Sequence, residues 1–281
     1  MGATDLQHAL SRAVLQGRIE TARRLLTMGA HLDPGIVMGP SETLNGSGLA
    51  FLIELGADLA DDKGDRLAPI AMMLETYNRN PEGKHRCLEI AAQQGVDFPD
   101  TAPVALHRGR IDLLDTHLRR DPTLLTRTFT HEEIFPPELG CHADPALALC
   151  GTPLDGATLL HMAVEYDEIE IAPWLIEKGM DVDAQAGVDS EGFGGHTALF
   201  ACVVSEAYLC GGQRDGALAR LLLDHGADPN VRASLWKRLI DAGDDSMREY
   251  RNVTPLAWGE RFHNHRWVNP IVLSLLRNHR P

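Results

Sequence analysis

The side chains best equipped for chemistry gather in two places. Between positions 131 and 150 stand His131, Glu132, Glu133, Cys141, His142 and Cys150, and near the C-terminus His263, Asn264, His265, Arg266 and Trp267 are consecutive. The first set has the donor types of a zinc site. Zinc sites, however, take their ligands in close pairs such as C-x2-C or H-x3-H, because two then approach from one turn. A C-x8-C spacing with one His interposed is not that pattern, and nothing in the sequence acidifies Cys141 into a nucleophile. The second set, with Arg261, Arg277, His279 and Arg280, makes one end of an acidic chain locally basic. Such a patch could grip a carboxylate, a phosphate or an acidic peptide through bidentate arginine bonds, or simply end a core against water. His161 and Glu165 lie one helical turn apart, but a structural histidine is the better reading of that pair. Phosphate-loop, nucleophile-elbow, zinc-protease and dinucleotide fingerprints are all missing, and Cys210-Gly211-Gly212 reads as a turn. The residues therefore announce no catalytic centre, no metal and no cofactor.

The elements that must position these residues are repeats. From Thr158-Leu159-Leu160-His161-Met162-Ala163 the chain runs into a turn at Asp167-Glu168. A second helix follows with Ile171, Leu175 and Ile176, and then a glycine-led exit through Gly179 and Asp181. A helix pair of this kind cannot bury its apolar face alone, so copies must stack, with a period of about 33 residues. Other copies open at Thr197-Ala198-Leu199 and close at Gly226-Ala227-Asp228, open at Thr254-Pro255-Leu256, or run ungapped from Leu10 to Pro34. Weaker ones are marked by Gly56-Ala57-Asp58, Gly95-Val96-Asp97 and His107-Arg108-Gly109.

This pattern resembles the ankyrin repeat, T-P-L-H-x-A-A through G-A-D-x-N, with Leu159 where the usual proline stands. The resemblance implies an all-α fold, an ankyrin-repeat solenoid of about seven helix-turn-helix repeats with long inter-repeat loop insertions. It makes Thr158, His161, Thr197, Thr254 and Pro255 motif residues of the scaffold, His161 tying neighbouring loops together. The whole chain, 1–281, is then a single array: N-terminal repeats over 5–125, a long insertion over 126–155, and C-terminal repeats over 156–281.

Composition agrees. The chain is 44% apolar but only 5% aromatic, as suits Leu and Ala packed between close, short helices. A formal charge of −14 argues against nucleic acid and anionic membranes as general partners. The five cysteines form no disulfide framework, the N-terminus lacks the features of a signal peptide, and no apolar run reaches the roughly 20 residues of a membrane span. A cytoplasmic setting with reduced thiols is the expectation.

Departures from the repeat carry more information than matches. About 25 extra residues fall within Thr126–Asp155, about 6 within Gly187–Gly195 and about 16 within Arg232–Val253, all where projecting loops belong. Ser205–Gly212 lengthens an inter-helix turn. Ser234-Leu235-Trp236-Lys237-Arg238-Leu239-Ile240 reads as a short amphipathic helix before the acidic run Asp241, Asp244 and Asp245. Pro173, inside a second helix, should kink it. Insertions tend to collect on a binding face, so the expected function is protein–protein interaction by a scaffold or adaptor. Phe135, Phe193, Arg238, Tyr250, Arg251, His263 and Arg266 are the candidate contacts with another protein or peptide. A monomer and a homodimer both stay open. The rival is a small-molecule or enzymatic site between the insertions, drawing on His131, Glu133, Cys141, His142, Glu191, His263 and His265.

Overall fold

The structure, a computed structural model, describes residues 3–145, 149–210, 212, 215–239 and 244–279. It falls into two compact units, one of Met1–Asn78, Glu82–Pro99 and Phe135–His142, the other of Arg79–Pro81, Asp100–Ile134 and Ala143–Pro281. Among the described residues no helix is long and apolar enough to cross a membrane.

The first unit is built from helix pairs: α1 (Ala3–Leu15) with α2 (Ile19–Thr27), α3 (Met38–Glu42) with α4 (Gly46–Glu54), and α5 (Ala68–Glu75) with α6 (Pro81–Gln93). First helices are neighbours, α1 against α3 and α3 against α5. Leu10 and Val14, then Leu49 and Leu52, then Ile70, Met73 and Leu74 are buried, at about 1.5–3 kcal/mol for each large side chain. Gly29, Gly56 and Gly95 leave the second helices at φ +103°, +88° and +85°, the left-handed exit that glycine adopts without strain. Asn45 does two jobs. Its Oδ1 accepts from Gly48 N–H at 2.9 Å to cap α4, and its Nδ2 donates to Val14 O at 3.0 Å, tying two pairs together.

The second unit continues with α7 (Ala102–His107), α8 (Ile111–Arg120), α9 (His131–Ile134), α10 (Leu159–Glu165), α11 (Ile171–Glu177), α12 (Ala198–Val203), α13 (Glu206–Leu209) and α14 (Ala217–Asp224). Strands β1 (Ala233–Leu239) and β2 (Asp244–Val253) follow, then α15 (Pro255–Arg261) and α16 (Pro270–Asn278). The first helices α7, α10, α12 and α15 lie side by side in that order. Every residue of α10 is buried, as a helix packed on both sides requires. Where glycine would lead out of α8, Asp121 instead accepts from Thr123 N–H at 3.0 Å and opens a 3-10 turn, Pro122–Leu125.

Two local expectations are corrected. Pro173 does not kink α11: the helix starts at Ile171, so the proline sits in the first turn, where an N–H has no acceptor within the helix. Ser234–Leu239 is strand, not helix, and the fold is mostly helical with one two-stranded antiparallel sheet. In β1 Ala233, Leu235 and Lys237 are buried while Ser234, Trp236 and Arg238 are half-exposed, an alternation of period two. Ile240 and Asp241 lie outside the described residues, as do the side chains of Leu239, Asp244 and Asp245, and so do Gly211 and Arg280.

Candidate functional site

The motif histidines act as neutral ties. Thr158 N–H donates to His161 Nδ1 at 3.3 Å, which makes Nδ1 an acceptor and leaves the proton on Nε2 to donate to His196 O at 2.9 Å. Burial pushes His161 down to about 4, and burial together with His161 pushes His196 down to about 3, so both rings are uncharged at neutral pH. His107 Nε2 meets Ile134 O at 3.0 Å and His196 Nε2 meets Pro153 O at 3.0 Å. The bonds of His107 and His161 fix the segments that follow their helix pairs, and that of His196 ties the loop before α12 to the loop before α10.

The loops themselves are stitched backbone to backbone. Phe129 N–H donates to Ala157 O at 2.8 Å, Gly156 N–H to Phe129 O at 2.9 Å, Gly187 N–H to Gly156 O at 2.8 Å, and Gly194 N–H to Ser234 O at 2.7 Å. Such approach needs glycine: a Cβ on Gly194 (φ +116°) would lie 1.9 Å from Gly187 O. The stitched segments enclose a cleft of about 280 Å³. Phe129, Phe193, Leu235, Trp236, Val188 and Pro153 give it apolar walls, and Thr128, Thr130, Asp155, Asp189 and His196 give it polar ones, beside backbone from Gly156, Gly187 and Gly194. Asp189 Oδ1 accepts from Glu191 and Phe193 N–H, both at 2.9 Å, and Asp155 Oδ1 from His131 N–H at 2.8 Å. No Lys or Arg lines the cleft among the described residues. Arginines instead back its aromatic walls, Arg251 stacking 4.1 Å from the Phe193 ring and Arg127 5.0 Å from the Phe129 ring.

The residues singled out from sequence divide sharply. Phe135 (1% exposed), Phe193 and Tyr250 are buried, so none presents an open contact face. Phe193 alone borders the cleft. Tyr250 packs edge-on against Trp258 at 4.7 Å, and its hydroxyl accepts from His263 N–H at 3.1 Å while bonding His263 Nδ1 at 2.5 Å. Trp258, Phe262 and Trp267 are likewise core residues and form no exposed aromatic patch. Arg251 and Arg266 are exposed, and Arg238, His263 and Trp236 are half-buried.

The groups of the rival reading are engaged locally. Glu133 pairs with Arg127, and His142 Nδ1 bonds Glu75 Oε2 at 2.8 Å. Burial raises the Cys141 thiol above its usual range, the opposite of an activated nucleophile. Among the described residues no three His, Cys, Asp or Glu side chains gather to hold a metal. None of the seven residues lines the cleft.

Sequence reasoning passed over a buried charge cluster. Arg79 and Glu165 have no exposed side-chain surface; Arg79 Nη2 bonds Glu165 Oε1 at 3.0 Å and Leu149 O at 2.8 Å. Glu165 also accepts from Gly151 N–H at 2.8 Å and Thr152 N–H at 3.2 Å, and Lys237 Nζ donates to Cys150 O. Arg79 stacks 4.7 Å from the Tyr166 ring. Its partner in the ion pair lies 86 residues away, so no local spacing advertises it.

Residues 130–233 match the family profile for ankyrin repeats in three copies. The chain therefore carries ankyrin repeats, and its fold is the ankyrin fold with one added hairpin. Among solved structures it is similar to the human ASB11 ankyrin repeat domain, at 16% identity over 97% of this chain and 98% of that one, with a TM-score of 0.34. It is also similar to the ankyrin repeat domain of Bcl-3, a member of the IkappaB protein family, at 19% identity over 96% and 98%, with a TM-score of 0.33. No curated protein matches the chain.

Proposed function

We propose that this protein is a cytoplasmic protein-interaction module whose seven helix pairs, counted along the chain, are repeats, and whose inter-repeat insertions build the recognition site. Ankyrin repeats generally mediate protein–protein interaction, and the cleft is where this chain departs most from the plain repeat. The observation that carries the reading is convergence: segments from three separate insertions, around 128–130 and 153–156, 187–196 and 235–236, border one cleft. Charge complementarity indicates the partner. With Asp155 and Asp189 on its walls and no Lys or Arg in its lining among the described residues, the cleft suits a peptide that inserts an apolar side chain flanked by a basic one. Val188, 63% exposed at the cleft, and the exposed Arg251, stacked on the Phe193 wall, are the contacts proposed around it.

A photo-crosslinking side chain at Val188 tests this, with the same group at Met28, exposed in the first unit, as control. The reading expects one discrete partner captured at Val188 and not at Met28. Equal capture at both, or none at Val188, overturns it. The cleft volume also favours a second reading, since about 280 Å³ approaches the roughly 300 Å³ at which small-molecule pockets begin. Native mass spectrometry of the freshly purified protein separates the two: a retained small molecule supports the second reading, and a bare chain that binds peptide supports the first.

A further inference from the structure

The segment Leu149–Thr152 is held almost entirely by buried charge. Leu149 O takes Arg79, Cys150 O takes Lys237, and the N–H groups of Gly151 and Thr152 both go to the Glu165 carboxylate. Both sides of this clamp lead straight to the cleft. Pro153, Asp155 and Gly156 follow the gripped segment, and Leu235 and Trp236 precede Lys237 on β1.

Beside the clamp, at the start of α13, stands Glu206, with 0% exposure. Among the described residues neither of its carboxyl oxygens has a hydrogen-bond partner. Its backbone presses on the gripped segment, since a Cβ on Gly151 would lie 2.8 Å from Val204 O and 3.3 Å from Glu206 N. Buried polar atoms are nearly always paired, so two orphaned oxygens on one fully buried acid call for a role. The charged and titratable groups facing it are Arg79, Glu165 in α10, Lys237 in β1, and the thiols of Cys150 and Cys210.

We infer that Glu206 is a proton-controlled latch on the cleft: as the neutral acid it leaves Arg79 and Lys237 on residues 149–152, and as the carboxylate it competes for them and loosens both walls. Burial holds its carboxyl well above the usual carboxylate range, with Glu165 acting in the same sense and Arg79 and Lys237 against it. The fold therefore favours the acid, and the clamp weakens as pH rises. Regulation of binding by this latch rests on the cleft being the recognition site.

Hydrogen exchange on the full chain, followed from mildly acidic to mildly alkaline buffer, tests the latch without any partner. Protection of amides 150–157 and 233–238 is compared with that of amides 10–14 and 49–52, which cancels the intrinsic pH dependence of exchange. In the wild type, the ratio should fall at least about tenfold toward alkaline pH, the factor that one pH unit of linkage gives. Glu206→Gln should hold the acidic-side ratio throughout. Lys237→Met should show the low ratio at both ends and serves if the first variant fails to fold. A flat wild-type profile, or a Glu206→Gln profile that falls as the wild type does, overturns the latch. Neither result touches capture at Val188; conversely, normal exchange behaviour with failed capture would sink the binding reading and leave the latch as a property of the fold.

Discussion

Two parts of the second unit hold neighbouring segments together by opposite means. Through the helix pairs, the imidazoles of His107, His161 and His196 each bond one backbone carbonyl, and those of His161 and His196 are neutral. Across the inserted loops the work falls to ionised Arg79, Glu165 and Lys237 and to backbone brought into contact at glycines. A neutral tie owes little to the charges around it and is complete at neutral pH. A charged tie depends on every other charge around it and can be reset by one proton. The scaffold is thus built to stay, and the loops are built on terms that can change.

The largest effect should come from the charged side. Arg79→Met strands the buried Glu165 carboxylate, and urea unfolding should show a loss of about 3–5 kcal/mol; a second change, Glu165→Leu, should restore part of it. A loss under about 1 kcal/mol would mean that the clamp does not hold the loops. Gly194→Ala comes next. The added methyl must displace Gly187 O, and the cost, about 1–3 kcal/mol, should appear in loop exchange rates while the helices stay protected.

His161→Leu probes the neutral ties. It orphans the Thr158 N–H and takes one of two partners from the His196 carbonyl, which keeps Ala186 N–H at 2.8 Å, at about 1–3 kcal/mol. The ties also carry a pH signature. With folded values near 4 and 3 against an ordinary 6.5, His161 and His196 bind fewer protons in the fold than in the unfolded chain. Their contribution is complete above pH 6.5 and drains away as pH falls toward 4. Denaturation at neutral pH and in mild acid should show this loss, smaller in His161→Leu, whereas the Glu206 contribution runs the other way. Arg251→Ala marks the small end: an exposed arginine on Phe193 should cost under about 1 kcal/mol.

The contrast also explains what could be read from the sequence. Thr158, His161 and the glycine exits act over three or four residues, so their spacing shows in one dimension. The positions of the insertions were legible for the same reason, as excess length between regular units. The hairpin was not: Lys237 occupies an inward position of β1, and its polar head breaks the apolar alternation that would have marked Ala233–Leu239 as strand. Phe135, Phe193 and Tyr250 stand out as candidate contacts because they lie in insertions, yet all three are buried, since inserted loops need cores of their own. Arg79 and Glu165 meet only once α10 is folded, and the orphaned Glu206 is visible only in three dimensions.

Substitution of a single exposed residue tests the central claim, that the inserted loops and not the plain repeats recognise the partner. Val188→Arg places a cation at the rim of the cleft, and Met28→Arg places the same charge on an exposed site of the first unit. Co-purification of the native partner is measured with each. The account predicts that Val188→Arg loses the partner at least about tenfold, roughly 1.4 kcal/mol, while Met28→Arg retains it. Equal retention by both variants, or loss by Met28→Arg alone, would contradict it.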